Sequence, residues 1–165
     1  MTKYYKIVTE KSYFKRICGI DDISAIPNGT KFTASAPVEN DKDKKNLYIN
    51  KPVFHFCDNA FDTMLWHNIF ERLYQSSDAK KTPVIYEIIP LSEVVKEKCG
   101  DKLELYQCGA TKIEIKTKMS LNRMFDRAVK EFKNNKAQKE ELYPDLPLSK
   151  IIDAWERHQQ ALIIH

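Results

Sequence analysis

Two side chains of this sequence interrupt strand-like apolar runs, and both are of types that do proton chemistry. Glu87 stands inside Val84-Ile85-Tyr86-Glu87-Ile88-Ile89. Period-two alternation places it on the same face as Ile85 and Ile89. A carboxylate on such a face must be paired, protonated or set at a cleft, because an isolated charge is too costly to bury. The alternative is that Tyr86 faces the core and Glu87 lies on a solvated face, a common arrangement in antiparallel sheets. His55 lies in Val53-Phe54-His55-Phe56-Cys57, facing away from Phe54 and Phe56. Its imidazole could serve as a general base or hydrogen-bond a ligand. Equally, a neutral imidazole with its hydrogen bonds satisfied is a structural residue. Cys57 precedes a helix start, a setting that favours thiolate, yet no histidine stands at a spacing that would make it a nucleophile.

His55, Cys57, Cys99 and Cys108 are the residues from which a zinc site could be assembled, but no C-x-x-C occurs and Cys99 and Cys108 are nine positions apart. Structural zinc sites show tighter ligand pairs. The expectation is therefore no metal, with His55 and Cys57 structural and the four cysteines reduced. His67 and Glu71, one helical turn apart, read as a surface pair. Four glycines, with no G-x-G-x-x-G and no G-x-x-x-x-G-K-[ST], exclude a glycine-rich phosphate loop.

The formal net charge of +4 is mild, but it is unevenly spread. Residues 112 to 136 hold eight Lys or Arg against three acids, and Lys112, Lys116, Arg123, Arg127 and Lys130 recur at strand and helix spacings that aim them outward together. They form a candidate surface for an anionic partner, to be weighed against a solvated face that only maintains solubility. No aromatic residues interleave with these cations, which argues against base stacking.

The elements that would position these groups follow from pattern. Lys3 to Val8, Thr30 to Ser35, Lys51 to Cys57, Val84 to Ile89, Leu103 to Gln107 and Lys112 to Lys118 read as strands. Lys11 to Cys18 reads as a short helix, Pro27-Asn28-Gly29 as a turn, and Glu39 to Asn46 as a charged loop. Asp58 is the expected N-cap of a helix running to about Gln75. Ser92 is expected to cap a short helix ending near Gly100. Ser120 caps an amphipathic helix with a stripe of Leu121, Met124, Phe125, Ala128, Val129 and Phe132. Asn134 to Glu141 reads as a polar connection, and a last helix follows from Ser149. At 165 residues, 42% hydrophobic and 30% charged, the chain suits one domain over 1–165 with a C-terminal helical extension from about residue 142. The fold class expected is α+β, a mostly antiparallel sheet packed by three or four helices.

The run Val53-Phe54-His55-Phe56-Cys57-Asp58-Asn59-Ala60-Phe61-Asp62 resembles the hallmark of a little-characterised phage and bacterial domain family, whose Gly-Phe-His-Phe-Cys-type strand leads into a helix carrying an Asp. Strands like Tyr86-Glu87-Ile88 and Ala110-Thr111-Lys112-Ile113-Glu114-Ile115 extend the resemblance over roughly residues 1 to 125, and Val53 stands where that family usually has glycine. The resemblance implies a phage or mobile-element origin and no particular activity. A looser one is to ADP-ribosyltransferases. Lys31-Phe32-Thr33-Ala34-Ser35 is similar to their Ser strand and Glu87 to their catalytic glutamate, while the strand Lys3 to Val8 lacks their Arg or His.

Three functional expectations follow. The first is a non-enzymatic binding or inhibitory protein acting on a host protein or another anionic macromolecule, nucleic acid included, with no cofactor. The second, carried by the looser resemblance, is a transferase using NAD through Ser35 and Glu87, with His55 as a further candidate. The third is a small-nucleotide-binding module near His55. No run approaches the roughly 20 apolar residues of a membrane span, and the start lacks a secretory apolar stretch. A cytoplasmic location with no membrane partner is expected.

Overall fold

Short runs of β-branched and aromatic residues pair into two antiparallel sheets, and amphipathic segments between and after them supply the helices. The computed structural model describes residues 2–8, 13–34, 53–66, 84–99, 105–153 and 156–157. In chain order these contain β1 (Tyr4–Val8), α1 (Tyr13–Cys18), a 3-10 turn (Ile23–Ala25), β2 (Lys31–Thr33), β3 (Phe54–Phe56), α2 (Ala60–Trp66), β4 (Val84–Pro90), β5 (Val95–Cys99), β6 (Leu105–Ala110), β7 (Lys112–Met119), α3 (Leu121–Asn134) and α4 (Lys136–Leu142). Residues 148–153 are also helical. The fold class is α+β.

One sheet has the order β1-β4-β7-β2 and the other β3-β6-β5. A bridge between Tyr5 and Cys57 ties β1 to the end of β3, and β6 bends at Thr111 directly into β7, so one continuous stretch of chain gives a strand to each sheet. Ser92 holds that turn, its hydroxyl accepting from the Thr111 and Lys112 amides at 3.0 and 3.2 Å.

The core lies on both sides of β1 and β4. Between the sheets, Val8, Tyr86, Ile88, Ile113 and Ile115 meet Phe54, Phe56, Cys108 and Ala110, closed by Phe14 and Ile23. On the other side, Tyr5, Ile7, Ile85 and Met119 pack against Phe61 and Met64 of α2 and Met124, Phe125, Ala128 and Phe132 of α3. A β-bulge lets β7 serve both layers. Glu87 pairs with Thr117 but Ile88 pairs with Ile115, leaving Lys116 as the extra residue. An inserted residue of this kind reverses the facing of everything beyond it.

Three expectations are corrected. Ser92 caps no helix, because Val95 to Cys99 forms β5, paired with β6. Lys96 and Lys98 of that strand lie over the Tyr106 ring at 5.1 and 5.9 Å, cross-strand contacts that outweigh local helical propensity. The polar stretch after α3 contains the helix α4. Its apolar content is low, and Lys139 fastens it through the ion pair described below. Asn59, not Asp58, caps α2: its side-chain oxygen accepts from the Asp62 amide at 2.8 Å. The Ser120 cap is as expected, accepting from the Arg123 amide at 3.2 Å.

Candidate functional site

Glu87 projects from the central strand β4 toward α3, and only 4% of the residue is exposed. Tyr86 on the opposite face is fully buried, so this strand has no solvated face where the two stand. The Tyr86 hydroxyl is satisfied, donating to the Ile23 carbonyl at 2.6 Å and accepting from the Ile26 amide. Two cations bind the Glu87 carboxylate, Lys116 Nζ at 2.8 Å from the bulge and Arg127 at 3.4 Å from α3. Arg127 also donates to the Tyr5 hydroxyl and lies over that ring. Burial pushes the Glu87 carboxyl up, but Lys116 and Arg127, with Lys3 further off, outweigh it and hold it below the usual glutamate range. Glu87 is thus an ionised acceptor held by two cations.

The five cations singled out from the sequence do not behave alike. Lys112, Arg123 and Lys130 are exposed, with no ion pair among the described residues. Lys116 and Arg127 reach the same carboxylate from a strand and a helix, so Glu87 links β7 to α3. Lys118 points the other way, donating to the Ser24 carbonyl at 2.8 Å. Lys133 is paired with Glu156 at 2.7 Å.

His55 lies half-buried in β3, opposite Gly109, and its carbonyl accepts from Lys6 Nζ at 2.8 Å. The structure engages Glu87 with Lys116 and Arg127, while His55 stands on β3 in the other sheet. Ser35 lies outside the described residues, as do the loop Glu39 to Asn46 and the pair His67 and Glu71. Cys57 does not follow the thiolate expectation. Burial pushes its thiol well up and the nearby Asp62 carboxylate pushes the same way. Cys108 is pushed up to about 12, by burial first and then Asp58. Among the described residues no three His, Cys, Asp or Glu converge as a metal site.

A second polar cluster, which the sequence reading missed, surrounds the start of α2. Glu131 of α3 accepts from the Ala60 and Phe61 amides at 3.0 and 2.9 Å. Asp62 accepts from the Tyr143 hydroxyl at 2.8 Å and from Asn59, and pairs with the buried Lys139 at 3.7 Å. Asp58 pairs with Lys96 at 2.8 Å. The cluster ties α2, α3 and α4 together. Glu131 carried a legible signal, since it falls three and seven positions after Ala128 and Met124 on the buried stripe.

No protein-family model, curated protein or solved structure matches the chain. Among the described residues, no helix is long and apolar enough to cross a membrane.

Proposed function

We propose that this chain is a non-enzymatic binding protein, of the kind a phage or mobile element directs at a host component, and that it engages an anionic macromolecule through the face shared by β7 and α3. The supporting observation is the state of Glu87. A carboxylate enclosed by Lys116 and Arg127 organises cations rather than transferring a proton, since a general acid or base needs a pKa near the working pH and this one is held low. Lys112 on β7 and Arg123 and Lys130 on α3 are exposed and add positive charge to the same two elements. Such a surface attracts acidic partners over distances set by ionic strength. The resemblance of the Phe54 to Asp62 run to a phage and bacterial domain family supports the origin.

The test is binding of polyglutamate and of duplex DNA to the wild type and to Lys112→Glu/Arg123→Glu/Lys130→Glu at two salt concentrations. At least one of the two polyanions binds, and both added salt and charge reversal weaken it. Binding indifferent to both, or none to either polyanion, rejects the reading. The NAD-transferase alternative predicts something different: release of nicotinamide that Glu87→Gln abolishes.

A further inference from the structure

The strand pairings place a second kind of surface beside the basic one. In antiparallel sheets, residues directly opposite each other share a face. Ile89 stands opposite Glu114, and Glu114 opposite Lys31. The Leu91 amide bonds the Lys112 carbonyl at 2.9 Å, and Lys112 stands opposite Thr33. These two rows continue the face that carries Glu87 and, further along, Ile85. Where α3 covers it, Ile85 is 1% exposed; beyond α3, Ile89 is 38% and Leu91 43% exposed. They are the exposed large hydrophobics among the described residues, and they sit on a central strand and its continuation, beside β7, with β2 one strand further out.

Basic residues outnumber acids on the strands around them. Lys31 and Lys112 stand on the two rows that carry Ile89 and Leu91, and Lys116 and Arg127 hold the neighbouring Glu87. The carboxylates on the paired strands of this face are Glu87 and Glu114, and the exposed Glu93 follows two residues after Leu91. Glu87 is buried beneath its cations and Glu114 is half-buried beside Lys31 at 3.9 Å. We infer that this open end of the sheet face is the docking site for an acidic amphipathic helix of a protein partner. The inference rests on the binding reading above and narrows its partner class. Apolar side chains of that helix would cover Ile89 and Leu91, removing exposed aliphatic area from water. Its carboxylates would meet the lysine rim, where complementary charge sets specificity and association rate. The sheet already packs α3 on the other end of the same face, so a second helix there repeats a geometry the fold accommodates. Nucleic acid suits the surface poorly, because aliphatic side chains offer bases no stacking platform.

The experiment uses the full chain with isotope-labelled isoleucine and leucine methyls. Three probes are titrated: a synthetic amphipathic helix of leucine and glutamate, a scrambled peptide of the same composition, and duplex DNA. The expected result is that the amphipathic peptide moves the Ile89 and Leu91 methyl resonances and binds more tightly than its scramble. Ile89→Glu/Leu91→Glu then weakens it at least tenfold, as does Lys31→Glu/Lys112→Glu, which leaves the aliphatic pair in place. Peptide binding that leaves those methyls unmoved, or that survives both double variants, overturns the inference but leaves the anionic-partner reading standing. DNA binding without amphipathic-peptide binding does the same. Failure of the peptide to bind overturns the inference, and failure of polyglutamate and DNA as well overturns the anionic-partner reading with it.

Discussion

Ile85 and Ile89 lie four residues apart on one face of β4, yet one is sealed under α3 and the other is 38% open to solvent. Glu87 stands between them. On the sealed side the neighbours are Tyr5, Ile7, Met119 and Phe125; on the open side they are lysines and Glu114. The same strand therefore contributes to stability at one end and presents surface at the other. The difference teaches that an exposed aliphatic pair on a central strand does not arise from shortage of helix. The chain has a helix on this face, and its Arg127 holds Tyr5 and Glu87 together between the sealed Ile85 and the open Ile89.

The largest effect that would break the contrast is in the sealed half. Phe125→Ala is expected to cost about 3–5 kcal/mol, from lost burial and the cavity left among well-packed neighbours, read as a fall in the urea midpoint. At the boundary, the effects are asymmetric. Lys116→Ala/Arg127→Ala leaves the Glu87 side chain charged with only 5% of it exposed, and is expected to cost about 2–4 kcal/mol. Glu87→Leu leaves its two cations access to water, because Lys116 and Arg127 are 52% and 25% exposed, and should cost less. Equal losses would mean that the carboxylate is not the group that needs its partners.

The two polar clusters also separate by pH. The Glu87 carboxyl is held below its unfolded value, so its contribution is present above the unfolded pKa of about 4 and is lost as pH falls through the lower folded value. The Glu131 carboxyl is pushed up by burial, against the pull of the Phe61 and Ala60 amides. Its ionisation is therefore disfavoured in the native state, and its contribution becomes more favourable as pH falls from above the folded value to the unfolded one. Denaturation of wild type, Glu87→Gln and Glu131→Gln across mildly acid pH should show these opposite trends. The smallest effect is expected on the open half, where Ile89→Ala and Leu91→Ala should each change stability by within about 0.5 kcal/mol.

The sequence made some of this plain and hid the rest for physical reasons. Residues of the α3 stripe, the Ser120 cap, β1, β4 and the strand β7 were legible, because period and capping chemistry act locally. Reading β6 and β7 as a pair from their adjacency is a misreading, since β6 joins β3 and β5 while β7 joins β4 and β2. The suspicion attached to Glu87 was well placed in that an acid on an apolar face needed partners, and the partners are Lys116 and Arg127. Its two-sided burial was not legible, since alternation says which residues share a face and nothing about what covers each face. The bulge at Lys116 shifts register within β7 without a glycine or proline to announce it. Strand β5 and helix α4 depend on contacts made by Lys96 and Lys139 with residues distant in sequence. Ile89 and Leu91 drew no attention because they flank Pro90 in an otherwise ordinary apolar strand, and only their exposure in the folded chain reveals that they are uncovered.

The most direct test of the account is a paired measurement on Ile89→Glu/Leu91→Glu: urea-denaturation stability, and affinity for the synthetic leucine–glutamate amphipathic helix. The account predicts stability within about 1 kcal/mol of wild type together with at least a tenfold loss of affinity. A large loss of stability with affinity intact in the folded fraction would contradict it, because the open half of the face would then be core rather than binding surface.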